Sequence, residues 1–271
     1  MSRLHRILRK PFFGRFEVPW SFPPGIDAAS WERIAFRSGN GARLAGLWGA
    51  AGGEAKGTLV LAHPMGKAAK GFWLRHGHAD LFRSAGYNVF LFDANGFGES
   101  EAVSFDYPAD ILAAGQWAQE RQPALAVGLV GASFGAGWGL CSMAREGSPY
   151  RAAVLEGAFT TLPDFWRHYP VAYATLRMSQ VVWPSMERNL RPEREAARVL
   201  GRPVVLLLYG DRDIYTPPAQ GERLRRAFGS AADVEMQVFP GVDHTYAYRD
   251  AADAYAARVM PFLGAAFGNA R

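Results

Sequence analysis

The chain has 271 residues, of which 49% are hydrophobic, 13% aromatic and 20% charged. That is enough apolar material for a sizeable core, and it excludes a disordered chain. The formal net charge is +5, and a single cysteine, Cys141, excludes an internal disulfide. Cys141 falls in an apolar helical pattern and reads as a buried structural thiol.

Much of the positive excess lies at the start, in Arg3, Arg6, Arg9, Lys10 and Arg15. We read these as a solvated tail, the alternative being a weak contact with a membrane surface through this arm. No basic stripe with interleaved aromatics follows, so nucleic acid is not an expected partner. No Cys/His cluster has metal-ligand spacing, and no run of 18 apolar residues predicts a transmembrane helix. Arg6, Arg9, Lys10 and Arg15 interrupt any signal-peptide core, which makes the cytoplasm the default location.

Residues 1–32 read as an irregular arm, basic and then rich in Pro and aromatics (Pro19, Trp20, Phe22, Pro23, Pro24). Residues 33–271 read as one domain. Residues 33–37 and 43–48 flank Ser38-Gly39-Asn40-Gly41, an Asn-Gly hairpin signal, and should pair antiparallel at a sheet edge. From there strands and helices alternate. Strands are expected at 58–62, 87–92, 124–130, 152–155, 203–209 and 234–239. Helices are expected at 72–85, 108–121, after Ser133, at 217–228 and at 248–266. Continuous apolar strands separated by helices imply a mostly parallel α/β sheet, eight strands in all, with helices on both faces. Between the sixth and seventh strands lies a longer segment, about 159–200, carrying Phe159, Phe165, Trp166, Tyr169, Tyr173, Met178, Trp183 and Met186. It reads either as a small helical cap lining an acyl pocket or as ordinary helix packing.

The chemistry centres on Gly131-x-Ser133-x-Gly135, which joins an apolar strand to a helix. A serine meant to attack a carbonyl must project from a very tight turn, where side chains two residues away would collide with backbone. Such a serine needs a base, and that base needs an acid. Of the six histidines, only His63 and His244 lie directly after strands. His244 follows the last strand and fits the order serine, acid, histidine; His63 precedes the serine. Asp211 and Asp213 both follow the seventh strand, and either could turn toward His244; Asp243 is the weakest candidate because adjacent side chains rarely face each other. The oxyanion hole needs two backbone N–H groups. One falls to Phe134, the residue after the serine. The other falls to Met65 in His63-Pro64-Met65-Gly66, because Pro64 has no N–H.

These pieces together resemble the α/β-hydrolase superfamily over roughly residues 33–271. His63-Pro64-Met65-Gly66 is similar to the family's His-Gly oxyanion loop. Asp93-Ala94-Asn95-Gly96-Phe97-Gly98-Glu99-Ser100 is similar to its Asp-x-Arg-Gly-x-Gly-x-Ser turn. The stretch from Gly210 to Pro217 is similar to its Gly-x-x-Asp-x-x-x-Pro loop, which assigns the acid to Asp213. Pro64 and Asn95 depart from the usual glycine and arginine. The resemblance implies a compact, esterase-like or peptidase-like serine hydrolase with a catalytic triad of Ser133, Asp213 and His244, without metal or organic cofactor. The expected partner is a small-molecule acyl substrate, cleaved at an ester or related bond as in carboxylesterases. Alternatives on the same triad are an acyltransferase, a thioesterase or a peptidase; a non-catalytic binding protein on the same fold is a further one. The oligomeric state is not fixed by the sequence.

Overall fold

The apolar stretches pair into one eight-stranded sheet. The computed structural model describes residue 18 and residues 20–182 and 190–268. The basic residues of the arm, Pro19, and Trp183 and Met186 of the segment after the sixth strand lie outside the described residues.

The strands are β1 (Glu32–Arg37), β2 (Arg43–Gly49), β3 (Gly57–Ala62), β4 (Tyr87–Phe92), β5 (Val127–Ala132), β6 (Tyr150–Glu156), β7 (Val204–Gly210) and β8 (Asp233–Phe239). Their order in the sheet is β1-β2-β4-β3-β5-β6-β7-β8. β2 runs antiparallel to β1 and β4, and every other pairing is parallel. The sheet is therefore a mostly parallel α/β sheet. The Asn40 turn makes the edge hairpin as expected: the Asn40 side-chain oxygen takes the Ala42 N–H at 3.0 Å.

The helices are α1 (Gly71–Arg75), α2 (His78–Ser84), α3 (Tyr107–Arg121), α4 (Phe134–Met143), α5 (Leu162–Phe165), α6 (Pro170–Val182), α7 (Pro192–Glu195), α8 (Pro218–Phe228), α9 (Ala247–Asp250) and α10 (Ala252–Gly268). Strand side chains alternate between two cores. Val60, Phe90, Leu129 and Leu207 face a core that takes in α3, α4 and α8. Leu59, Leu61, Leu91 and Leu206 face a second that takes in α1, α2 and α10. Both faces of the sheet are thus covered by helices.

Three expected boundaries move. The helix expected at 72–85 is two helices, because Gly77 takes a left-handed φ of 76° and ends the first turn of chain at His76. The strand expected from 124 starts at Val127, because the Leu125 N–H closes a turn on the Gln122 carbonyl. The terminal helix breaks at Ala251, whose φ of −142° and ψ of 50° lie outside the helical region.

The segment between β6 and β7 carries α5, α6 and α7, and its aromatic residues divide. Phe159 is wholly buried in the core against Phe134 and Trp138. Phe165, Trp166 and Tyr169 border an open cleft, and Met178 is exposed. Two residues of α8 tie this segment down near both ends. Gln220 accepts the Thr160 N–H at 2.9 Å, and Arg223 reaches Asp164 at 3.1 Å and Glu193 at 2.6 Å.

Candidate active site

β5 ends at Ala132, and Ser133 stands alone between it and α4 with φ 52° and ψ −113°. Few non-glycine residues adopt a positive φ, so the surrounding packing must hold it. The glycines permit that packing. A Cβ on Gly135 would lie 2.0 Å from the Ala62 carbonyl oxygen, and one on Gly131 would lie 2.6 Å from the Gly135 oxygen. The turn is therefore pressed against the end of β3. There the chain continues into His63, Pro64 and Met65. The Ser133 N–H is held by the Glu156 carbonyl at 2.8 Å.

The structure brings three of the expected side chains together. Ser133 Oγ lies 2.7 Å from His244 Nε2, and His244 Nδ1 lies 2.6 Å from Asp213 Oδ2. Ser133 and Asp213 are buried, whereas the His244 side chain retains 16% exposure. Burial opposes ionisation of Asp213. The hydrogen bond and charge of His244, and the two hydrogen bonds from Thr216, outweigh it and hold the carboxyl below its ordinary value. With Asp213 ionised, Nδ1–H donates to the carboxylate and Nε2 accepts from the serine hydroxyl.

The competing residues are used elsewhere. Asp211 Oδ1 accepts the Gly241 N–H at 2.7 Å and closes the turn between the two loops. Asp243 accepts the backbone N–H of His244. His63 is buried, with Nδ1–H donating to the Pro64 carbonyl at 2.8 Å and Nε2 accepting the Ala94 N–H at 3.1 Å. Both of its nitrogens hold the loop that carries Met65. Burial keeps this imidazole pKa below its usual value. Cys141 is a buried thiol whose pKa burial pushes up.

Met65 and Phe134 border the same cleft of about 630 Å³ as Ser133 and His244. Phe134 opens α4, where N–H groups have no intrahelical acceptor and the positive end of the helix dipole points outward. The loop bearing Met65 is pinned at its far side by Lys70, whose backbone N–H and ammonium both donate to Asp93, at 2.9 and 2.5 Å. Lys70 also pairs with Glu99 at 2.7 Å, and it lies 3.8 Å from the centre of the Trp20 ring. Asn95, which stands where the resembled motif has arginine, donates its N–H and its side-chain amide to Asp110 at 2.8 and 2.7 Å.

Two neighbours of the site were not anticipated. Thr216 donates its N–H and its hydroxyl to Asp213, at 2.9 and 2.5 Å, which aims the carboxylate. Its position just before Pro217 in the acid loop was the available signal. Glu156, at the end of β6, is buried and accepts the Ala247 N–H at 2.9 Å. Burial, partly offset by that bond, pushes its pKa from 4.5 to about 7. Nothing in the apolar pattern of β6 marks it out.

Among the described residues, no group of three or more His, Cys, Asp or Glu could hold a metal ion, and no helix is long and apolar enough to cross a membrane. A family model described as serine aminopeptidase, S33, matches residues 53–202. The chain belongs to the S33 serine aminopeptidase family. That match runs from before β3 to just short of β7 and includes Met65, Ser133 and Phe134.

Solved structures share the fold of this S33 chain, that of the α/β hydrolases. An esterase from Pyrococcus furiosus is similar with a TM-score of 0.73 at 18% identity, covering 93% of this chain and 98% of that one. A carboxyl esterase from Bacillus coagulans gives 0.67 at 16% identity, with 88% and 99% covered. An acylaminoacyl peptidase from Pyrococcus horikoshii gives 0.63 at 16% identity, with 86% of this chain and 42% of that one covered. A search of curated proteins found no match.

Proposed function

We propose that this S33 chain is a serine hydrolase that cleaves a carboxylic ester or related acyl bond through an acyl-enzyme. One run of contacts supports this reading: Ser133 Oγ to His244 Nε2 at 2.7 Å, and His244 Nδ1 to Asp213 Oδ2 at 2.6 Å. Ser133 attacks the acyl carbon while His244 accepts its proton, then gives it to the leaving group. Asp213 holds the imidazole tautomer and stabilises the imidazolium. The amides of Phe134 and Met65 receive the oxyanion, each contributing about 3 kcal/mol to the transition state. Water then enters, with His244 again as base, and releases the acid. The mechanism uses no cofactor, and the substrate is a small acyl compound taken up in the cytoplasm.

A peptidase reading shares these residues. It is favoured by the S33 family and by the peptidase among the structural relatives. The ester reading is preferred because two similar esterases match over nearly their whole length, whereas the chain spans less than half of that peptidase.

A fluorophosphonate probe and a p-nitrophenyl ester series test the proposal. Wild type is expected to label and to turn over esters, and Ser133→Ala to lose both, turnover by a factor of at least about 10⁴. Labelling that persists in Ser133→Ala would remove the assigned nucleophile.

A further inference from the structure

Resting on the hydrolase reading above, we infer that the substrate is amphipathic, with an apolar portion on one side of the scissile bond and an anionic group on the other. Strand order carries the inference. β5, which delivers Ser133, lies between β3 and β6. The loops at the β6–β7 side bring aromatic rings to the cleft: Phe165 stacks on Tyr215 with ring centres 5.4 Å apart, and Tyr169 stacks on Tyr215 at 6.5 Å. The chain leaving β3 brings Phe72 and His76 and, unlike the β6–β7 side, two cations, Lys67 from the loop and Arg75 from the end of α1. Both are exposed, and among the described residues neither forms an ion pair.

One acid also borders the cleft, Asp243, on the loop after β8, with one carboxylate oxygen taking the His244 N–H. Two uncompensated cations against one acid leave the β3 side positive. A cleft with one sign of charge on one wall favours a ligand of the opposite sign there. The rings on the facing wall suit an acyl or aryl chain. A carboxylate, phosphate or sulfate would meet the same requirement. It could sit on the acyl portion or on the leaving group.

Two matched ester pairs distinguish these positions. Mono-4-nitrophenyl adipate against its terminal amide puts the charge on the acyl portion. 3-Butyryloxybenzoate against 3-butyryloxybenzamide puts it on the leaving group. At low salt, kcat/KM is expected to favour the anion about tenfold in at least one pair, since two partly screened contacts add up to that factor. The ratio should fall to about one in the double variant K67S/R75S, and shrink in wild type in about 0.5 M salt. Equal rates within both pairs, or a preference that survives in the double variant, would overturn the inference. Hydrolysis of the neutral amides leaves the hydrolase reading standing in that case, whereas hydrolysis of none of the four esters would remove both.

Discussion

At the scale of single residues, the acid loop offers a clean comparison. Asp211 and Asp213 differ by two positions, yet one caps Gly241 and the other meets His244. Asp213→Asn should lower kcat by about 10⁴, because an amide oxygen cannot hold the imidazole as a carboxylate does. Asp211→Asn keeps an acceptor for Gly241 and should leave turnover within about threefold. Steady-state ester kinetics on both variants measure this, and the reverse pattern would exchange their roles. Glu156 makes a different prediction. Its folded pKa of about 7 stands above the unfolded value of 4.5. The neutral carboxyl therefore favours the fold fully below about pH 4.5, and that advantage fades as pH rises through about 7. The difference corresponds to about 3 kcal/mol. Glu156→Gln stays neutral, so its melting temperature should gain on wild type steadily from pH 5 to pH 8. Parallel melting curves across that range would contradict the shift.

At the scale of elements, the segment between β6 and β7 is held through α8. Arg223 joins Asp164 near its entry to Glu193 near its exit, while α6 between them buries none of its residues. Arg223→Leu should cost only about 1 kcal/mol of overall stability, since the guanidinium is partly exposed. It should nonetheless speed trypsin cleavage after Arg167 and Arg177 severalfold under native conditions, by loosening the segment locally. Cleavage rates unchanged from wild type would show that packing, not these ion pairs, holds it. The helix break at Gly77 was open to a closer reading of the sequence, because a glycine inside an otherwise helical pattern is a potential C-cap. The behaviour of the aromatic residues was not. Phe159 and Phe165 carry the same chemistry, six positions apart and in one core cluster, and only the chain path gives Phe165 an edge on the cleft as well.

At the scale of the whole molecule, the sheet, its edge hairpin and the meeting of Ser133 with His244 could be read from the sequence, because each rests on local chemistry: apolar runs, an Asn-Gly turn, glycines around one serine, loops that follow strands; the choice of Asp213 over Asp211 came only from the resemblance of the acid loop. Side-chain pairs that no such local signal marks could not be read. Lys70 meets Asp93 and Glu99, and Asn95 meets Asp110, through contacts that no periodicity encodes. Trp20 is another such case. It lies over the Lys70 ammonium and so joins the described end of the arm to the turn that backs the cleft. Trp20→Ala should lower stability by about 1–2 kcal/mol, from the lost cation–π contact and the water admitted to a buried ion pair. A thermal melt indistinguishable from wild type would mean that the ring contributes nothing to that pair.

Glu156 grips two partners at once. Its main-chain oxygen holds the amide of the hydroxyl-bearing turn, and its side chain holds the amide that opens the helix just beyond the imidazole. Any breathing of that strand tip therefore carries donor and acceptor in the same direction. The short gap between them is insulated from motions of the sheet that would otherwise stretch it.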